Sequence, residues 1–309
     1  MKGIAIRQYG GPETLEWTDL ADPKVGPDSV LVRVRAAGVN PVDFKIREGR
    51  LDGAFPSHFP LVPGWDVAGV VEAVGPAVWE FAPGDEVVGY VRADHIQGGT
   101  YAEYVSAHVR HLAHKPTSVG FVEAAGLPLA GLTAYQAALQ ALRVVEDETL
   151  LVHAAAGGVG SMAVQIGRHL GSRVIGTASA GNHAYLRDLG AEPVEYGEGL
   201  VDRVRTLAPA GVDAALDLVG GEALERTPEL LGPRGRFATV VNPAVAAQLG
   251  ARYVFVRPDP VGLAALVRMV DEGRLRVPVA RTFPLQDAAE AHRIVQSGHG
   301  QGKIVLEVA

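Results

Sequence analysis

Residues 150–167 read LLVHAAAGGVGSMAVQIG. Leu150–His153 is a short, mainly apolar run of the kind that forms a buried strand. The turn that follows carries Ala155-x-Gly157-x-x-Gly160, with alanine in the first of three positions that usually hold glycine. A turn of this kind must be tight, must let the backbone approach a pyrophosphate, and must let a helix pack closely on the strand. Val159, Ala163, Ile166 and Leu170 fall at i, i+4, i+7 and i+11, one face of a helix that Gly171 ends. The stretch thus predicts a strand, a glycine turn and a helix whose first amides, around Gly157, Gly158, Val159 and Gly160, aim at a phosphate. A side chain at Gly157 would fill the space the pyrophosphate needs.

Working outward, the pattern repeats. Arg173–Thr177 reads as the next strand, 185–189 as a helix ended by Gly190, and Asp213–Leu218 and 236–241 as further strands. Strands alternating with helices predict α/β architecture, a doubly wound parallel Rossmann sheet with helices on both faces. The strand after the helix is where an acidic residue would hold the 2′-hydroxyl of NAD. Here it runs Val174-Ile175-Gly176-Thr177-Ala178-Ser179 with no carboxylate, and Thr177, Ser179, Asn182 and His183 are all donors suited to a 2′-phosphate. NADP(H) is therefore the expected cofactor.

The first third is different. Val30–Arg35, Val67–Val74, Glu86–Tyr90 and 101–106 are short strand patterns divided by Gly and Pro turns, which predicts a compact barrel-like β domain. The tail holds two helical patterns, ended by Gly273 and Gly298, and a last strand at 303–308. With 309 residues, two domains are expected. The balance of 28 basic against 35 acidic residues argues against a nucleic-acid or polybasic membrane binder. There is no run of apolar residues long enough for a transmembrane helix. The chain has no cysteine, so it can form no disulfide, thiolate nucleophile or Cys-ligated zinc site, and a cytoplasmic location is expected.

Five motifs accompany the glycine turn: Ala37-Gly-Val-Asn-Pro-Val-Asp-Phe-Lys-Ile-Arg-Glu-Gly49, Val62-Pro-Gly-Trp-Asp-Val-Ala-Gly-Val-Val71, Gly98-Gly-Thr-Tyr-Ala-Glu-Tyr104, Leu127-Pro-Leu-Ala-Gly-Leu-Thr-Ala-Tyr135 and Gly302-Lys-Ile-Val-Leu306. In this order they resemble the zinc-free NADPH:quinone oxidoreductase and 2-alkenal reductase branch of the medium-chain dehydrogenase/reductase superfamily. The resemblance implies a GroES-like catalytic domain at 1–118, completed by 258–309, a Rossmann domain at 119–257, and an active site in the cleft between them. Where metal-using relatives carry a catalytic Cys, this chain has Asn40, and their Gly-His-Glu appears as Gly64-Trp65-Asp66.

The same resemblance assigns residues. Asn40 would lie near the nicotinamide and the substrate carbonyl, although Asn before Pro41 also suits a turn. Asp43 reads better as a helix cap. Lys45 would orient the ribose or polarise a carbonyl. Thr133 would sit beside the nicotinamide, Tyr196 near the 2′-phosphate, and Lys303 at the pyrophosphate. Asp217-Leu-Val219-Gly220 and Val240-Val-Asn242 end strands of the parallel sheet, where cofactor binds. Phe55, Trp65 and Phe255 are candidate walls of an apolar substrate pocket, or core. His108, His111 and His114 do not suggest a metal site, because an extended segment would turn His111 to the opposite face.

The expected activity is NADPH-dependent, metal-independent reduction of quinones or α,β-unsaturated carbonyls. The alternatives are an enoyl-thioester reductase and a non-catalytic NADPH-binding protein. A homodimer is expected from the resemblance and from 253–256 (YVFV) before Pro258, which reads as an edge strand.

Overall fold

The computed structural model describes residues 1–298 and 300–309. The chain divides into two compact units: Met1–Leu132 with Arg257–Gly273 and Val277–Ala309, and Thr133–Val256 with Arg274–Arg276.

The second unit carries a six-stranded sheet in which every pairing is parallel. Counted from Thr149–Val152 as the first strand, the others are Arg173–Ala178, Glu192–Glu195, Val212–Asp217, Leu231–Thr239 and Arg252–Tyr253, and they lie in the order 3-2-1-4-5-6. The order reverses beside the first strand, which places the turn at 153–157 at the switch point, where doubly wound sheets bind nucleotides. The helix Gly158–His169 follows, and Gly171, at φ +81°, ends it in the left-handed region that glycine enters most cheaply. The core of this sheet includes Leu151, Ile175, Val212 and Phe237. The strand expected over 253–256 is only Arg252–Tyr253, at the sheet edge. Val254 still donates to the Thr239 carbonyl at 2.9 Å, but no further ladder follows before Pro258.

In the first unit the 11-residue strand Ser29–Val39 organises a mixed seven-stranded sheet. Along its length it pairs with Asp66–Val74, near its start with Tyr104–His108, and near its end with the C-terminal strand Lys303–Glu307, all antiparallel. One strand with three partners wraps the sheet into the barrel-like form read from the sequence. Its apolar interior includes Val32, Val34, Val67, Val87 and Leu306. The strand expected over 101–106 begins only at Tyr104. Tyr101 is instead tied across loops: its N–H reaches Pro63 O at 3.1 Å, and its carbonyl takes the Ile4 N–H at 2.8 Å. Among the described residues no helix is long and apolar enough to cross a membrane.

Candidate functional site

The glycine turn is built for close approach. Ser161 N–H makes the first intrahelical bond, to Gly157 O at 2.9 Å. The amides of Gly158, Val159 and Gly160 lie ahead of it, at the positive end of the helix dipole. A Cβ at Gly160 would collide with the Ala154 carbonyl oxygen and stand 2.6 Å from Ala155 Cα, so this glycine lets the helix pack on the strand. A Cβ at Gly157 would meet only Ala154 O, at 3.4 Å, so that side of the turn is open. Free amides behind an open glycine face fit a pyrophosphate. Beneath the turn, Ser161 Oγ donates to Gly157 O at 2.7 Å and lies 2.8 Å from the Tyr185 hydroxyl.

Parallel strands gather their carboxyl ends on one edge, and most of the expected cofactor residues follow those ends. Ser179 comes after the second strand, Tyr196 after the third, Val219 after the fourth, and Val240 and Asn242 after the fifth. Tyr196 and Val219 are exposed. Asn242 caps the helix Pro243–Leu249, accepting from Ala244 N at 3.1 Å and Val245 N at 3.2 Å. Asp217 is buried and accepts from Gly220 N and Thr239 Oγ1, shaping the turn that presents Val219.

At the end of the second strand Thr177, expected to donate to a 2′-phosphate, has its side chain buried, and its Oγ1 accepts the Ala154 N–H at 3.1 Å. Ser179, Asn182 and His183 remain at this strand end, with Asn182 Nδ2 donating to Ser179 Oγ at 3.3 Å. His183 Nε2 is buried and, among the described residues, meets no hydrogen-bond partner.

The first unit assembles a second polar cluster. Antiparallel pairing brings the starts of Asp66–Val74 and Lys303–Glu307 to the end of Ser29–Val39, so Asn40, Asp66 and Lys303 converge from distant parts of the chain. Lys303 Nζ donates to Asn40 Oδ1 at 2.5 Å and to Val39 O at 3.1 Å, and stands 3.7 Å from Asp66 Oδ2. Asn40 Nδ2 donates to Asp66 Oδ2 at 2.8 Å, and the Leu129 N–H takes Asp66 Oδ1 at 2.8 Å. Asn40 N–H donates to Asp43 Oδ2 at 2.7 Å, and the Tyr101 hydroxyl donates to the same oxygen at 3.1 Å. His292 and Arg47 extend the chain of contacts: His292 Nε2 lies 3.3 Å from the Tyr101 hydroxyl, and His292 Nδ1 lies 3.2 Å from Arg47 Nη1.

Burial dominates these groups. It pushes Asp66 up to about 6 against the pull of Lys303, and Asp43 up to about 7 against its hydrogen bond from Asn40. It pushes Lys303 down and His292 down to about 3. Asp43 is thus the helix-capping residue that sequence reading favoured, but fully buried. Lys303, expected at a pyrophosphate, has its ammonium engaged within its own unit. Asp66, Tyr101, His292 and Arg47 were not singled out as site residues. Charged types in otherwise apolar surroundings were the available signal, but their convergence needs the sheet register.

Lys45 is partly buried, and its pKa is lowered first by that burial and then by Arg50. Phe55 and Trp65 come together with ring centroids 6.1 Å apart, both largely buried, and Trp65 meets Tyr90 at 6.0 Å. Phe255 lies in the other unit, exposed beside Tyr253. Thr133 is buried on the helix Pro128–Tyr135. The histidine trio is not an extended run: a 3-10 turn at Val109–His111 brings the His108 and His111 rings to 5.6 Å, and His108 Nε2 pairs with Asp28 at 2.8 Å. Among the described residues no three His, Asp or Glu side chains gather to hold a metal.

Comparison with known proteins decides the lineage. Residues 26–117 match the alcohol dehydrogenase GroES-like domain family, and residues 189–306 match the zinc-binding dehydrogenase family. The chain is 30% identical to the chloroplast envelope quinone oxidoreductase homolog of Arabidopsis thaliana, over 99% of this chain and 98% of that one. The chain belongs to the medium-chain dehydrogenase/reductase superfamily.

Within this superfamily, the chain is 40% identical to the NADPH-dependent alkenal/one oxidoreductase of Arabidopsis thaliana, over 58% of its own length and 48% of that relative's. The solved quinone oxidoreductase from Coxiella burnetii superposes with a TM-score of 0.88 at 35% identity, covering 100% of this chain and 99% of that one. An NAD-dependent alcohol dehydrogenase superposes with a TM-score of 0.90 at 35% identity, covering 100% of both chains. A mycobacterial protein solved in complex with NADPH does so with a TM-score of 0.86 at 31% identity, covering 99% of this chain and 100% of that one. As a superfamily member this chain is an oxidoreductase of the GroES-like and Rossmann architecture that takes a nicotinamide cofactor. Asn40 and Trp65-Asp66 fit its zinc-free branch.

Proposed function

We propose that the protein reduces quinones or α,β-unsaturated carbonyls with NADPH and without zinc. The observation that carries this reading is the open glycine turn at the switch point of an all-parallel sheet, in a chain whose full-length relatives include a quinone oxidoreductase and a quinone oxidoreductase homolog. Bound there, NADPH supplies the hydride. The amides of Gly158, Val159 and Gly160 hold the pyrophosphate, with Val219, Val240 and Asn242 along the same sheet edge. Ser179, Asn182 and His183, with no carboxylate among them, receive the 2′-phosphate, and Tyr196 packs near it.

The acceptor is already electron-poor, so it needs orientation and a donor for its developing oxyanion rather than a Lewis acid. Asn40 is the proposed donor. Lys303 holds its Oδ1 and Asp66 takes one amide hydrogen, which leaves one amide hydrogen to give. A buried lysine and a buried aspartate fix which face of the amide donates. Phe55 and Trp65 supply apolar surface near this cluster's unit, and Lys45 is a second cationic candidate. With no cysteine and Trp65 in the histidine position, the ligand set of a catalytic zinc is missing.

The deciding assay follows NADPH consumption with a panel of quinones and enones, and NADP⁺ reduction with simple alcohols, each with and without chelator. Chelator-sensitive alcohol oxidation as the main activity would overturn the reading. Asn40→Ala should lower turnover about 100-fold or more, the usual effect of losing an oxyanion donor. NADPH should bind at least about tenfold more tightly than NADH, from one or two charge-assisted hydrogen bonds. Equal dissociation constants in a fluorescence titration would remove the NADP assignment. The cytoplasmic, homodimeric state belongs to the same proposal; light scattering showing only a 32.4 kDa species would remove the dimer.

A further inference from the structure

His153 ends the first parallel strand and opens the glycine turn. It is 1% exposed, and its backbone N–H is held by Leu216 O at 2.9 Å. The ring stands between two threonines: Nε2 is 3.2 Å from Thr227 Oγ1, and Nδ1 is 3.4 Å from Thr177 Oγ1.

The protons in this trio can be assigned. Thr227 Oγ1 lies 2.7 Å from the Ala223 carbonyl, one helical turn back, and a carbonyl only accepts. Thr227 therefore donates there and offers a lone pair to the ring, so Nε2 carries the hydrogen. Nδ1 is then unprotonated and accepts from the Thr177 hydroxyl. With its own hydrogen turned to the ring, Thr177 Oγ1 offers a lone pair to the Ala154 N–H at 3.1 Å. The Thr177 carbonyl takes the next amide, Ala155 N–H, at 2.9 Å. Ala154 needs this support. Its φ is +52°, a left-handed conformation that is unfavourable for a residue with a Cβ. Burial lowers the His153 pKa to about 4, which keeps the ring in the neutral form this pattern requires.

We propose that His153 is a positioning residue for the cofactor: its neutral Nε2–H tautomer aims the Thr177 hydroxyl, which holds Ala154 and with it the turn that presents the amides of Gly158–Gly160. The proposal rests on the dinucleotide reading of that turn. His153 itself is buried beneath it and acts through Thr177.

The test uses the full chain, with His153→Leu, His153→Gln, Thr177→Val and the double variant His153→Leu/Thr177→Val. It measures the NADPH dissociation constant, the KM for a quinone, and the melting temperature. Side-chain 15N NMR of the wild-type histidines reads the tautomer and needs no variant to fold. His153→Leu and Thr177→Val should each weaken NADPH by about tenfold, with the quinone KM within about twofold of wild type. The double variant should lose little more than either single one, because both act along one path. NMR should show hydrogen on Nε2 and none on Nδ1. A lowered melting temperature with unchanged NADPH affinity, fully additive losses, or hydrogen on Nδ1 would each overturn the assignment of His153. A wild-type chain that bound no nicotinamide nucleotide would overturn the dinucleotide reading, and this proposal with it.

Discussion

The two units bury polar clusters of opposite character. In the first, Lys303, Asp66 and Asp43 surround Asn40, and charge is neutralised by charge. In the second, His153, Thr177 and Thr227 use only neutral groups, and direction comes from which hydrogen points where. Burial raises the carboxylates of the first cluster to about 6 and about 7, close to neutrality, so that cluster is sensitive to pH. It lowers His153 to about 4, so the second holds one protonation state across the neutral range. A charged cluster can set a field at a reacting oxygen, whereas a neutral one fixes backbone geometry without adding charge beside a pyrophosphate.

The largest expected effect separates space from packing in the second unit. Gly160→Val drives a branched side chain into the Ala154 and Ala155 backbone, so both the melting temperature and nucleotide binding should fall sharply. Gly157→Val meets open space at φ −73°, so the fold should survive while NADPH binding is lost. Equal stability losses in the two variants would contradict the distinction.

Next in size is the ion pair of the first unit. Lys303→Met leaves the buried Asp66 carboxylate with only the Asn40 and Leu129 donors, which should cost about 3–5 kcal/mol in chemical denaturation. Pairing it with Asp66→Leu should recover part of that loss. A Lys303→Met chain as stable as wild type would mean that Asp66 is neutral in the folded protein.

The smallest effect is a slope. Asp43 sits at about 7 when folded against an ordinary 3.8, so between those values the folded chain keeps a proton that the unfolded chain has released. Its contribution is therefore greatest below about pH 4 and is lost as pH rises towards 7, by at most about 4 kcal/mol. His153 and His292, lowered to about 4 and about 3, slope the opposite way, so the informative quantity is the difference between wild type and Asp43→Asn. That difference should shift against the wild type between pH 4.5 and pH 7, by at most about 3 kcal/mol. A flat difference would show that Asp43 ionises normally.

The sequence alone determined the strand–turn–helix at 150–167, the alternation that makes a parallel sheet, and the lack of an acidic ribose selector. These are local: a glycine is needed where a backbone must come close, and periodicity declares which face is buried. The motifs from Ala37 to Leu306 likewise declared the lineage. Tertiary structure decided the rest, because it depends on register. The sequence offers Thr177 as a phosphate donor and Lys303 as a pyrophosphate partner, but only the fold shows the turn closing over the Thr177 hydroxyl and antiparallel pairing setting the Lys303 ammonium beside Val39 and Asn40. A strand pattern says which residues alternate, but hydrogen-bonded pairing with segments 26 or 263 positions away decides which of them meet.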